Sequence, residues 1–273
     1  MTATAPTTAP RPTRPATGLR DAATLTGRVL THWRHRPASI FLNLMFPVLM
    51  VLMFGYLFGG AMTVPDGRYM DFLIPGMFAM TMLFGLESLV VAVTTDNAKG
   101  VTERVRAMPV AATAVLAGRS TADLLNAVVG LAVMVATGLL VGWRADRGLP
   151  LALAGLGLLL WLRFAFTWIG IYLGLLLKTP ESAVAVQILV WPVGFLSSAF
   201  VSPGTMPAWL GAIGAWNPLS ATATAIRGLF GDPDWNAQHW AAEHALVLAI
   251  VWPAVLTAIF LPLAVRRYRA LED

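Results

Sequence analysis

Six long apolar runs, separated by shorter polar breaks, dominate the pattern of this chain. A helix needs about 20 mostly apolar residues to cross the hydrocarbon core of a bilayer. The runs at 39–59, 72–94, 120–141, 151–177, 182–201 and 243–265 each reach that length. They predict an all-α, polytopic membrane protein with six transmembrane helices. Pro47, Pro75, Pro192, Pro253 and Pro262 fall inside the runs. Membrane helices tolerate this, because neighbouring helices satisfy the freed carbonyls.

Residues 1–18, mostly Ala, Thr, Pro and Arg, have no apolar core. They predict a disordered tail, and they do not have the form of a signal peptide. Over residues 19–37, Leu19, Ala22, Ala23, Leu25, Val29, Leu30 and Trp33 recur at roughly helical spacing among basic residues. That pattern predicts an amphipathic helix lying on the inner membrane surface; a solvated basic linker is the alternative.

Composition narrows the class. Hydrophobic residues make up 57% of the 273-residue chain and charged residues 12%, about half the charged share of a soluble domain. A soluble domain of this size has no interior large enough for that apolar surface, and the absence of cysteine excludes a disulfide scaffold. The net charge of +5 acquires meaning from its location. With six spans both termini share one side, and 14 of the 19 Lys and Arg residues fall there. Arg68, Arg144, Arg147 and Arg227 fall on the other side, and Arg163 lies within a span. The positive-inside rule then predicts cytoplasmic termini and explains the basic charge without nucleic acid. A glycine- and arginine-rich, lysine-poor composition points to a GC-rich bacterial genome, hence to a bacterial cell membrane.

Two stretches are less generic. One, after the second run, reads Asp96-Asn97-Ala98-Lys99-Gly100-Val101-Thr102-Glu103-Arg104-Val105-Arg106-Ala107-Met108-Pro109-Val110. Val101, Val105 and Met108 follow i, i+4, i+7, so a short helix there would carry one apolar stripe beside its charges. Such a stripe suits a groove on a soluble partner, with Glu103 accepting a hydrogen bond and the arginines gripping carboxylates. An ordinary basic loop that only fixes topology is the alternative. The other stretch, after the fifth run, reads Phe195-Leu196-Ser197-Ser198-Ala199-Phe200-Val201, then Met206-Pro207, Trp209-Leu210 and Trp216-Asn217-Pro218-Leu219. Trp209 and Trp216 fit an aromatic belt at the membrane surface.

These two stretches, with the six-run spacing, resemble the type-2 ABC-transporter permeases, particularly the daunorubicin-resistance-like branch of drug exporters. The resemblance implies that Lys99, Gly100, Val101, Glu103, Arg104, Val105, Arg106, Met108 and Pro109, with the N-terminal amphipathic helix, form the coupling surface for a separate ATP-binding subunit. It implies short external helices over 202–234 that dip back and help close an outer gate carrying Trp209, Trp216, Asn217 and Pro218. A bare surface loop is the alternative for that region. The expected assembly has two permease copies, as a homodimer or paired with a homologous permease, and two ATP-binding subunits that hold ATP and magnesium. The expected cargo is a hydrophobic or amphipathic drug-like compound, with a lipid-linked glycan or polymer as the alternative. The chain itself is expected to bind no cofactor. A phosphate-binding loop needs Gly-x-x-x-x-Gly-Lys followed by Ser or Thr, and neither lysine, Lys99 or Lys178, stands in that context.

Ionisable residues inside a membrane are costly and are functional candidates by default. Glu87 and Arg163 lie well inside runs, and Asn43 interrupts the first; all three are candidates for a translocation path. From the run ends, Glu87 and Arg163 differ in depth by roughly 10 Å, so a direct pair between them is open. Asp123, a turn from Arg119, is expected to form a local ion pair with it. Gly55/Gly59, Gly138/Gly142 and Gly170/Gly174 give Gly-x-x-x-Gly spacing, which permits close helix contact. His239, Glu243 and His244 lack the spacing of a zinc-protease helix and are expected to be interfacial. A six-span intramembrane protease would need Ser197 or Ser198 beside a histidine base, whereas the histidines fall at the external edge.

Overall fold

The computed structural model describes residues 37–60, 67–106, 112–177, 179–232 and 240–270. The expected tail, the amphipathic helix short of Pro37, and Met108, Pro109 and His239 lie outside the described residues, as does the side chain of Asn43. Among the described residues the regular structure is helical throughout. Its α-helices are α1 (Pro37–Leu57), α2 (Tyr69–Ala98), α3 (Val101–Arg106), α4 (Ala112–Leu140), α5 (Leu149–Leu176), α6 (Ala183–Phe195), α7 (Ala208–Ala215), α8 (Pro218–Phe230), α9 (Trp240–Glu243) and α10 (Ala245–Arg269). Helices α2, α4, α5 and α10 are long and apolar enough to cross a membrane. Residues 45–57 of α1 and all of α6 are shorter apolar segments.

Helix α2 is the axis of the bundle. Its Leu73, Ile74, Met77, Phe78, Ala79 and Met80 are fully buried. Helices α1, α4, α5, α6 and α8 all pack against it, and α5 also carries α10. In a bilayer, helices associate through close packing more than by escaping water, and small residues set the approach. A β-carbon at Gly174 of α5 would stand 2.5 Å from Val93, and one at Gly170 would stand 3.1 Å from Leu89. That Gly-x-x-x-Gly pair is therefore the α2–α5 contact itself. On the other flank, Gly194 of α6 faces Met80, and Gly76 of α2 lies under the backbone of Ala199.

The fifth expected span is where the pattern misleads. The apolar run extends to residue 201, but the helix stops at Phe195 after 13 residues, about 20 Å. The chain then turns inside the bundle. The Ser197 hydroxyl donates to the Gly194 carbonyl, Pro192 sits in the last turn, and the carbonyls of Ser198 and Ala199 are taken by Arg227. With these groups satisfied internally, an apolar stretch can leave the helix at depth. Residues 198–200 are buried, and α8 packs against α2, α5 and α10.

These contacts make Gly76→Ala a sharp probe. An added β-carbon would meet the Ala199 carbonyl oxygen at 2.2 Å, so we expect a loss of about 1–3 kcal/mol from overpacking. Gly157→Ala, where nothing lies within 4 Å, is the control. Thermal melting of both variants in detergent, followed by size exclusion, checks this: equal melting would refute the packing of residue 199 on α2.

Candidate functional site

The segment between α2 and α4 turns on a single glycine. Lys99 N–H donates to the Thr95 carbonyl at 3.0 Å and closes α2. Gly100 then adopts φ +66°, a left-handed conformation that favours glycine. Its own carbonyl accepts from Arg104 N–H at 3.2 Å and starts α3. Lys99, Glu103 and Arg104 are exposed, Val101 is half-buried and Thr102 is buried against the bundle. The charged side of the expected stripe is therefore presented outward. Val105 and Arg106 contribute backbone to α3, and their side chains lie outside the described residues.

Asp96 on α2 pairs with Arg119 on α4, so the two helices that flank α3 are tied at its base. This corrects the expected Asp123–Arg119 pair. Helix α4 starts at Ala112, eight residues before the apolar run suggested, which places Asp123 about 16 Å inside rather than at the surface.

At that depth Asp123 meets Arg163 of α5. The side chain of Arg163 is 3% exposed and that of Asp123 6%, so each charge depends on the other. Arg163 also donates to the Met82 carbonyl at 3.0 Å and the Gly85 carbonyl at 2.9 Å, both on α2. The remaining carboxylate oxygen of Asp123 accepts from the Thr167 hydroxyl at 2.6 Å. Gly85 makes the approach possible, since a β-carbon there would stand 2.3 Å from an Arg163 Nη. Three helices thus converge on one guanidinium.

Arg163 and Glu87 are not paired. The depth argument is also overturned, because α2 runs on to Ala98 and brings the two to similar depth. What separates them is direction: Arg163 points to Asp123, whereas Glu87 lies near Gln187 of α6.

Toward the opposite end, Asn217 works in two directions. Its Oδ1 accepts from Leu219 N–H at 2.9 Å, capping α8, and its Nδ2 donates to the Val193 carbonyl of α6 at 2.7 Å. Pro218 occupies the first position of α8, where its missing N–H costs nothing. Trp209 and Trp216 are exposed; Trp216 stacks on Trp240, which in turn stacks on His244. His244 contacts Trp240 and not the serines, since Ser198 is engaged by Ser220 and Arg227. No cluster of metal-ligating side chains occurs among the described residues.

The sequence placed Arg227 on the external side, within the region 202–234 where the resemblance implied short helices that dip back and a surface loop was the alternative. Arg227 is fully buried. Its Nε donates to the Phe72 carbonyl at 3.0 Å, an Nη donates to the Ser198 carbonyl at 2.7 Å, and its guanidinium lies 3.6 Å from the Phe72 ring centroid. The caps around it, Asn217-Pro218 at the start and Gly231, with φ +90°, at the end, delimit the helix that carries it. Beyond Gly231, Asp232 accepts from the Trp143 indole through both carboxylate oxygens, at 3.0 and 3.1 Å. Burial pushes the Asp232 carboxyl up to about 7, against the opposing effect of the Trp143 hydrogen bond.

The comparisons with known proteins bear on the whole of this arrangement. Residues 21–230 match the ABC-2 type transporter family. The chain belongs to that family. It is 36% identical, over 94% of its length and 89% of the relative's, to the daunorubicin resistance ABC transporter permease protein DrrB1 of Streptomyces coeruleorubidus. It is 23% identical, over 90% of its length and 87% of the relative's, to the "Probable doxorubicin resistance ABC transporter permease protein DrrC" of Mycobacterium tuberculosis. The matched region of this ABC-2 permease ends at Phe230, so it takes in α3, the Arg163–Asp123 pair and all of α8, while α10 lies beyond it.

Two expectations follow. Removing one member of a buried pair leaves the other uncompensated, so Asp123→Leu or Arg163→Met alone should each cost about 3 kcal/mol or more. The double variant should cost less than the sum. A thermal-stability double-mutant cycle checks this, and additivity would refute the pair. For Asp232, the folded carboxyl titrates above the unfolded one. Stability should therefore fall as pH rises from about 4, where the unfolded chain ionises, to about 7, and stay level above. Asp232→Asn should flatten that slope in melting curves between pH 5 and 8; an unchanged slope would refute the assignment.

Proposed function

We propose that this chain is the membrane-spanning subunit of an ATP-driven exporter of hydrophobic or amphipathic drug-like compounds. The observation that carries the reading is the 36% identity, across 94% of the chain, to a daunorubicin resistance permease. On this reading the chain crosses a bacterial cell membrane six times, with α1, α2, α4, α5, α6 with its following turn, and α10 as the spans. Both termini and α3 face the cytoplasm, in keeping with the distribution of basic residues. ATP and magnesium are held by a separate ATP-binding subunit, two copies serving two copies of the permease.

The exposed Glu103 and Arg104 beside the buried Thr102 support α3 as the docking element for that subunit. The tie between Asp96 and Arg119 suits it to pass a displacement to α2 and α4 together. ATP acts by binding one arrangement of the assembly better than the other, and hydrolysis resets it.

The test is purification of the tagged chain from its native host in mild detergent. We expect a soluble ATPase with a phosphate-binding loop to co-purify, and Glu103→Ala with Arg104→Ala to reduce its recovery about tenfold, roughly 1.4 kcal/mol of lost affinity. Because both side chains are exposed, melting of the permease alone should not change. Repeated clean preparations without an ATPase would refute the proposal.

A further inference from the structure

Helix α10 ends in Arg266, Arg267 and Arg269, and the three do not share one task. Arg267 is half-buried, and its Nε donates to the Leu175 carbonyl at 3.4 Å. That carbonyl is among the last of α5, which have no partner within their own helix. Arg266 and Arg269 are exposed. Among the described residues neither meets a carboxylate or a carbonyl, whereas Arg68, Arg119, Arg144, Arg163 and Arg227 all do. A basic last turn complements the helix dipole, but that accounts equally for all three arginines and not for the directions they face.

Those directions follow from the helical repeat. Val247, Val251, Val255 and Ile259 recur every four residues, and each is at least 42% exposed. Ala258 and Pro262, on the same side, are exposed as well. At about 3.6 residues per turn, Arg266 and Arg269 continue this stripe, while Arg267 falls on the opposite side, toward α5. Val247 and Arg266 are about 28 Å apart along the axis, close to the roughly 30 Å of a hydrocarbon core. With Val247 at one boundary of the core, Arg266 stands at headgroup level at the other. Arg269 lies about 4.5 Å further out. Of the four long apolar helices among the described residues, α10 is also the least enclosed by protein.

We infer that the apolar stripe of α10, with Arg266 and Arg269 at its foot, is the docking surface for a phospholipid with a net negative headgroup. Residues three apart on a helix have Cβ atoms about 5–6 Å from each other, so the two guanidiniums can share one phosphodiester. Arginine binds phosphate oxygens through paired, charge-assisted hydrogen bonds. The acyl chains lie along Val255 and Ile259. A zwitterionic lipid brings a cationic group to the same two arginines and is repelled by them, which selects the anionic headgroup. The carboxylates of a soluble subunit would also match the charge, but the arginines end a stripe that faces hydrocarbon, and this continuity favours lipid. Docked there, the lipid holds α10 at one depth, while Arg267 holds it against α5. The inference goes beyond the export reading and depends on it only for naming the leaflet as the cytoplasmic one.

The experiment reconstitutes the full chain in nanodiscs of phosphatidylcholine with a minor fraction of phosphatidylglycerol of the same chains. The retained lipid is then counted by native mass spectrometry. The wild type should retain phosphatidylglycerol at least tenfold above its share of the mixture; retention in proportion to that share would overturn the inference without recourse to any variant. Arg266→Gln with Arg269→Gln should abolish the enrichment, with melting in pure phosphatidylcholine unchanged. Arg144→Gln with Arg147→Gln, the same loss of charge at the other end of the bundle, should leave it within twofold. Enrichment that survives the loss of Arg266 and Arg269, or that falls equally in both double variants, would overturn the inference. So would displacement of the lipid by glycerol 3-phosphate, which carries the headgroup phosphate without chains, because the apolar stripe would then play no part. Loss of a co-purified ATPase from the Arg266→Gln, Arg269→Gln variant with lipid retention unchanged would assign the two arginines to that subunit and overturn it too.

Discussion

The guanidinium of Arg163 fixes the relative positions of three helices, and the remainder of the bundle is arranged around it. Placing an ion in a medium of low dielectric costs several kcal/mol even after relaxation. The arrangement offsets this with a carboxylate from α4 and two carbonyls from α2. Each acceptor lies on a different element or turn, so none can move far without stranding the charge. Gly85 on α2 and Thr167 on α5 complete the fit, the first by leaving room and the second by occupying the other oxygen of Asp123. Arg227 repeats the device with different means. It is held by the carbonyls of Phe72 and Ser198 and by the face of Phe72, and it joins α8 to α2 and to the turn after α6. Both arginines exploit the delocalised, weakly hydrated guanidinium, a role lysine does not fill.

This places the movable parts at the ends of stiff ones. Helix α3 hangs from α2 through Gly100 and lies beside α4, which Asp96 and Arg119 tie to α2. Those same helices are joined deeper in by Arg163. On the proposed function, a displacement of α3 by an ATP-binding subunit therefore reaches α2 and α4 as a unit. It carries with it the α2 face that bears Phe84 and Glu87. Helices α1 and α6 pack on that face without a buried ion pair among the described residues.

Much of this was legible in the chain. The apolar runs located every long helix, and Gly170 and Gly174 were one of three glycine pairs whose spacing permits close contact, without showing which helix they meet. The misses share one cause, which is that hydropathy reports environment and not hydrogen bonding. Residues 196–201, four of the six apolar, leave the helix, because Arg227 and Ser197 satisfy the backbone there. Helix α4 begins before its apolar run, because Ala112–Arg119 is helical without being uniformly apolar. That error put Asp123 at the surface and concealed its partner. The burial of Arg227 was missed because an isolated arginine in a polar-to-small stretch carries no sign that its donors are met by carbonyls from distant segments. Glu87 was identified as unusual, but only the geometry separates it from Arg163, which turns to Asp123 instead.

The chain contains no cysteine, which permits a direct test of the central claim that α3 is where this ABC-2 permease meets its engine. Glu103→Cys, labelled with a photoactivatable maleimide in native membranes and irradiated, should yield a covalent adduct with a soluble protein that carries a phosphate-binding loop. The yield should change when ATP is replaced by a non-hydrolysable analogue. Leu140→Cys, on an exposed position at the opposite end of α4, should yield none. An adduct with the ATPase from Leu140 and not from Glu103, or adducts with lipid alone from both, would contradict the account.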